Sequence, residues 1–175
     1  MFKNFILHLK TITTHKYKVM KLCFRCGLYK QGLLHDLSKY SPSEFISGVR
    51  YYQGYRSPIS KEKEVLGYSK GWLHHKGRNK HHFEYWTDYV NGEYKGIEME
   101  IKYVIEMFCD RVVASQVYMK ENYHDGCPLE YFLRTTQDDL IMHPKTKELI
   151  ESLFIRLRDN GLNETIDYIK FNKLK

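Results

Sequence analysis

Several residues of this 175-residue chain have types and spacings that could do metal chemistry. His35 is followed directly by Asp36. His15 stands alone upstream, the pairs His74-His75 and His81-His82 lie downstream, and Asp110 falls inside a long helical pattern. Imidazole nitrogen and carboxylate oxygen together suit a divalent transition metal, and a hydrolytic centre needs several such donors around a position left open for water. Adjacent side chains on a helix diverge by about 100°, so His35 and Asp36 would hold an ion lying between their two directions. His15 and Asp110 reach the same ion only if a helical bundle brings their helices together. A buried aspartate without a partner is costly, so Asp110 calls for a metal or an arginine nearby. Glu106, one turn earlier, either supports the ligands or lies on the surface. His8, His124 and His143 read as structural or exposed.

The order His15, His35-Asp36, histidine pair, Asp110 resembles the HD-domain superfamily, whose members are mostly metal-dependent phosphohydrolases. The resemblance runs from His15 to Asp110. It implies an all-helical fold, with His15, His35, Asp36 and Asp110 as the primary metal ligands. Lys39 completes a His-Asp-x-x-Lys form common in the superfamily, where the lysine contacts phosphate or bridging solvent. Three residues beyond Asp36, it is expected on roughly the same helix face, where an ammonium offsets charge developing on phosphoryl oxygens. Asp36 and Lys39 are therefore the candidate catalytic residues.

The segment LHHKGRNKHHFEYW, residues 73–86, is dense in histidine and basic residues. Some members of the superfamily bind a second or third metal through extra histidines. The cyclic-dinucleotide phosphodiesterase branch has such a His-His pair, but the Gly-Tyr-Pro tripeptide that marks it is absent here. One member of each pair is expected on metal, His74 and His82. His75 and His81 are left to face substrate, either of them as the leaving-group acid. Arg78 then overhangs the metal, where its fork suits phosphate oxygens. A metal-nuclease motif built on His and Asn would need a β-hairpin, and no two-residue alternation announces one.

These residues need a scaffold, and the chain reads as one all-α domain over 1–175. The metal-site core spans about 13–120, and C-terminal helices over 144–172 pack on it. A hydrophobic share of 42% with 15% aromatics describes a packed globule. Apolar spacing predicts helices over 13–26, capped by Thr13 or Thr14, over 31–37, and from Pro42 through Val49. A loop at 51–60 precedes a helix over 61–75, and Asn79 can cap a short helix over 80–90 before a turn at Asn91-Gly92. The strongest helix covers 98–120. After a loop at 124–128, another runs from Pro144 to about Arg158, ended by Asn160-Gly161, and a last one follows Asn163.

No run reaches the 18 or so apolar residues of a membrane span, and Met1–Leu9 reads as a helix start without a cleavage site. Cys23, Cys26, Cys109 and Cys127 are too sparse for a disulfide framework, so Cys23-x-x-Cys26 reads as two core thiols and the chain as cytoplasmic. The net charge of +7 favours an anionic partner or is simply a lysine-rich surface.

The expected function is metal-dependent hydrolysis of a nucleotide or another phosphoester or phosphoanhydride. It would use one or two divalent ions, with Mn, Fe, Mg, Ni and Zn not distinguished. Two other classes fit the same residues. One is a di-iron oxygenase on the HD fold. The other is a non-catalytic basic module for nucleotides or nucleic acid, whose binding would fall steeply with salt.

Overall fold

The computed structural model describes residues 2–136 and 141–172; the rest of the expected 1–175 domain lies outside the described residues. The described chain is an all-α bundle with one small hairpin. Helix α1 (Phe2–Arg25) is followed by α2 (Tyr29–Leu34), a 3-10 turn (Leu37–Tyr40), α3 (Pro42–Arg50), α4 (Pro58–Leu66) and α5 (Lys70–Lys76). Strands β1 (Thr87–Val90) and β2 (Glu93–Gly96) come next, then α6 (Ile101–Met119), α7 (Cys127–Thr135) and α8 (Pro144–Asn172).

The apolar periodicity of α6 places Val104, Ile105, Phe108 and Val112 in the core, against Val19, Leu22 and Cys23 of α1. Ile150, Leu153, Phe154 and Leu157 of α8 pack in the same core as α6. Phe154 lies between Phe108 and Phe132, with ring centroids 5.7 and 5.6 Å away. Cys23, Cys26 and Cys109 are fully buried at the α1–α6 contact, and none belongs to a metal-competent group among the described residues. Burial and the neighbouring Cys23 and Cys26 hold the Cys109 thiol well above its usual range, as inert core thiols should be.

Four local expectations change. Helix α1 begins at Phe2, so Thr13 and Thr14 lie inside it rather than capping it. The helix expected over 61–75 is two, broken at Gly67 with φ 78°. An extra helix, α7, starts at Cys127 in the expected loop, with Pro128 in its first turn. Finally, residues 87–96 form an antiparallel hairpin with Val90 opposite Glu93. Its two-residue turn, Asn91 (φ 54°) and Gly92 (φ 86°), has the paired positive φ of a type I′ connection. Both strands are largely exposed, so no buried face imposes an alternation that the sequence could display. The hairpin carries none of the histidines.

Gly161, at φ 80°, interrupts the long C-terminal helix where Asn160-Gly161 was expected to end it. No helix among the described residues is long and apolar enough to cross a membrane.

Candidate metal centre

The stripe of α1 that faces inward is polar at one end and apolar at the other. His8, Ile12, His15, Val19 and Leu22 recur at three- and four-residue spacing and are all buried. His15 of this stripe meets Asp110 of α6, so two helices far apart in sequence supply donors to one place. His15 Nε2 lies 2.8 Å from Asp110 Oδ1.

His35 and Asp36 arrive differently from expectation. The second helix stops at Leu34. His35 is extended (φ −50°, ψ 128°), and Asp36 is left-handed at φ 54° before the 3-10 turn starts. The pattern Leu33, Leu34, Leu37 that suggested a continuous helix is half exposed, so continuing it would have buried little. Breaking it turns His35 and Asp36 inward, each only 1% exposed. Aspartate is among the few residues that accept the left-handed conformation at modest cost. Lys16, beside His15 on α1, donates to the carbonyls of Leu33 (2.7 Å) and His35 (2.8 Å) and ties off the broken helix end.

Asp36 is the centre of the arrangement. Its Oδ2 faces His35 Nε2 at 3.3 Å and His15 Nε2 at 3.7 Å, and His35 Nε2 is 3.4 Å from Asp110 Oδ1. Its Oδ1 faces His75 Nε2 at 3.3 Å and His81 Nε2 at 3.5 Å, while His75 Nε2 and His82 Nε2 are 2.9 Å apart. Two donor sets therefore share one carboxylate: His15, His35, Asp36 and Asp110, and Asp36, His75, His81 and His82. Within each set the donor atoms all lie within 4.8 Å of one another.

The opposite edges of the rings are held by carboxylates. Glu106 Oε1 accepts from His35 Nδ1 (2.9 Å) and His81 Nδ1 (3.1 Å), and Glu44 Oε2 accepts from His75 Nδ1 (2.7 Å). A carboxylate only accepts, so each ring carries a proton on Nδ1 and turns its Nε2 inward. His35 Nε2, His81 Nε2 and Asp36 Oδ1 are buried without a hydrogen bond, whereas Asp36 Oδ2 has the Lys39 ammonium beside it. Unpaired buried polar atoms are rare in native proteins, and these three converge. The described chain thus has buried His, Asp and Glu clusters of the kind that hold a metal ion.

The electrostatics agree. Burial disfavours a charged Asp36, but His35, Lys39 and His75 outweigh it and hold the carboxyl well below its usual range. Burial likewise opposes charge on His35, yet Asp36, Asp110 and Glu106 raise that imidazole well above its ordinary value. His82 is pushed well down by burial and by neighbouring His81 and His75. The free site is a compensated cluster of acids and imidazolium, and a bound cation would replace the proton. Lys39 Nζ sits 2.5 Å from Asp36 Oδ2, as the spacing predicted, although the element is a 3-10 turn.

The histidine pairs differ from expectation. His74 is not in either donor set. Its Nδ1 contacts Glu44 Oε1 at 2.6 Å, and His75 stands in the set instead, with both His81 and His82. Residues 74 and 75 are consecutive on α5, so only one can point inward, and the helix phase selects His75. Arg78 is exposed and donates to the His74 carbonyl at 3.3 Å, so it does not overhang the cluster. Asn79 caps no helix; its Nδ2 donates to Ser38 Oγ and the His75 carbonyl, each at 2.8 Å. Glu44 lies in the first turn of α3, where an acid also suits the helix N-terminus, and no local signal separates that role from holding His75.

Of the remaining histidines, His8 is buried and His124 is exposed. His124 also belongs to a separate group with Cys127 and Glu130, whose two ends are exposed.

The model of a family of unknown function, DUF5662, matches residues 5–156, which include every residue of both donor sets. No curated protein and no solved structure matches the chain.

Proposed function

The chain belongs to the DUF5662 family, and for it we propose metal-dependent hydrolysis of a phosphoester or phosphoanhydride at the Asp36 cluster. The observation that carries the reading is one buried aspartate shared by two donor sets, with His35 Nε2, His81 Nε2 and Asp36 Oδ1 buried there without a hydrogen bond. The order of those donors along the chain supports an HD-domain relationship. Two sets around one bridging carboxylate favour two divalent ions over one.

Divalent ions bound there would supply nucleophilic water at neutral pH and charge against the phosphoryl oxygens. The protein's own part is positioning. Glu106 and Glu44 fix the tautomer and orientation of His35, His81 and His75. Asp36, left-handed in the break after α2, belongs to both sets and ties them together. Lys39 lies beside Asp36 with part of its side chain accessible, and its ammonium stabilises charge that builds on a phosphate brought to the cluster. His75 and His81, the candidates for leaving-group acid, are tied by Nδ1 to carboxylates and turned by Nε2 to Asp36. They would hold a metal ion, which leaves the departing oxygen to take its proton from solvent.

A di-iron oxygenase is the second reading, favoured by the histidine content of both sets. One experiment separates them. Protein purified without added metal is analysed for metal content, then assayed over a phosphoester panel with manganese or magnesium under anaerobic conditions. Hydrolysis there supports the proposal. Bound iron with oxygen consumption and no hydrolysis overturns it in favour of the oxygenase.

A further inference from the structure

Charge is spread unevenly along this chain. Of its 28 basic and 21 acidic residues, seven basic and no acidic ones fall within residues 1–35. The whole net charge of +7 therefore lies in that stretch, and the 21 of each sign that follow cancel. The stretch folds into α1 and α2, which form one surface: a Cβ at Gly32 of α2 would lie 3.0 Å from Cys23 Cβ and from the Met20 carbonyl of α1. On α1 the inward stripe runs through His8, His15 and Val19. At about 100° per residue, Lys3, Ile6, Lys10, Tyr17 and Lys21 fall on the opposite side, and all five are exposed. Neither helix has a carboxylate side chain to pair with these lysines. Lys16 is different, being taken up by the carbonyls of Leu33 and His35.

The same two helices also hold large apolar side chains in solvent. Ile6 is 47% exposed on α1, and Leu33 and Leu34 are 56% and 52% exposed at the end of α2. Lysine interleaved with exposed aliphatic and aromatic residues suits a helix lying in the plane of a lipid surface. Ammonium groups are drawn to anionic headgroups, their stems lie along apolar surface, and the aliphatic side chains enter the boundary with the acyl chains. Nucleic acid would use the charge but not the aliphatics, since bases stack on aromatic rings and guanidinium planes. The one arginine of the stretch, Arg25, donates to Asn163 Oδ1 at 2.6 Å. We propose that α1 and α2 form a peripheral docking surface for an anionic lipid membrane. Helix α1, 24 residues long, would lie along it for about 36 Å. His15 and its donor set are on the other side of α1, so docking leaves them clear, and the proposal does not depend on the hydrolase reading.

The test sediments the full chain with vesicles of phosphatidylcholine alone and of phosphatidylcholine mixed with phosphatidylserine. Binding to the mixed vesicles that weakens with added salt, and none to the neutral ones, is expected. A lysine close to an anionic surface contributes about fivefold in affinity. Lys10→Glu combined with Lys21→Glu should therefore weaken binding by at least about tenfold. Ile6→Gln combined with Leu34→Gln should weaken it too, which attraction between charges alone does not require. These side chains are exposed, so both double variants should keep the helical circular dichroism and thermal midpoint of wild type. Absence of binding to either vesicle, or equal binding to both, would overturn the proposal. Undiminished binding by the folded Ile6→Gln, Leu34→Gln variant, or tighter binding to duplex DNA or RNA than to the mixed vesicles, would overturn it in favour of a nucleic-acid partner.

Discussion

Asp36 and Lys39 touch each other yet serve different ends, which makes them the sharpest pair of probes. Asp36 belongs to both donor sets, so Asp36→Ala should lose bound metal and turnover together. Lys39 belongs to neither set. In Lys39→Ala, metal content should stay near wild type while the rate falls about 10²–10³-fold, the usual loss for one contact to transition-state charge. Metal analysis and phosphoester assays on both variants check this, and full activity in both would place the chemistry elsewhere. His8 gives a prediction in pH. Burial, aided by the charge of Lys39, lowers its imidazole to about 4 in the folded protein, whereas in the unfolded chain it titrates near 6.5. Between these values the unfolded state binds more protons, so His8 makes stability fall as pH drops from about 6.5 toward 4. His8→Gln should therefore lose less stability than wild type over that window. Urea midpoints of both proteins at pH 7 and 4.5 measure the difference, in which the other titrating groups cancel.

At the scale of elements, close approach of backbone to backbone decides what the hairpin tolerates. A Cβ at Gly96, on β2, would lie 2.7 Å from His143 N and 2.8 Å from Ile141 O. Those are main-chain atoms and cannot swing aside. Gly96→Ala should therefore destabilise the fold by about 1–3 kcal/mol, as overpacking usually does, with a lowered thermal midpoint as the readout. The hairpin lies just before α6, so its displacement would register in stability before it reached the donor sets. The break between α2 and the 3-10 turn is the element that sets the cluster's centre. It exchanges helix continuity for the inward placement of His35 and Asp36, and the left-handed Asp36 is where strain is stored.

For the whole molecule, five histidines and two aspartates gathered in one cluster must be compensated by protons or by a cation. A metal that binds the folded state alone stabilises it by mass action, about 2.7 kcal/mol at a hundredfold excess over the dissociation constant. Chelator-treated protein should thus melt lower, and adding manganese or zinc should restore the midpoint. Asp36→Ala should abolish that metal-dependent shift. A shift that persisted unchanged in Asp36→Ala would assign the stabilising metal to another site, such as the exposed His124 group.

The sequence alone determined the all-α class, since the apolar spacing of α1, α6 and α8 can only be satisfied by burying those faces against one another. It also determined which residue types could meet, because His15, His35, Asp36 and Asp110 are donors of matching chemistry whatever positions them. Tertiary structure decided the rest. Which member of the pair 74–75 turns inward depends on the phase of α5 relative to a packing partner, a choice that two identical neighbours do not record. That His35 and Asp36 sit in a break rather than on a helix follows from what the surrounding bundle buries, because the local leucine pattern favours continuity. The hairpin stayed hidden because neither of its faces is buried, so nothing required its residues to alternate. Glu44 and Glu106 became partners of the histidines only through contacts 31 and 71 residues apart along the chain, a separation across which local pattern carries no information.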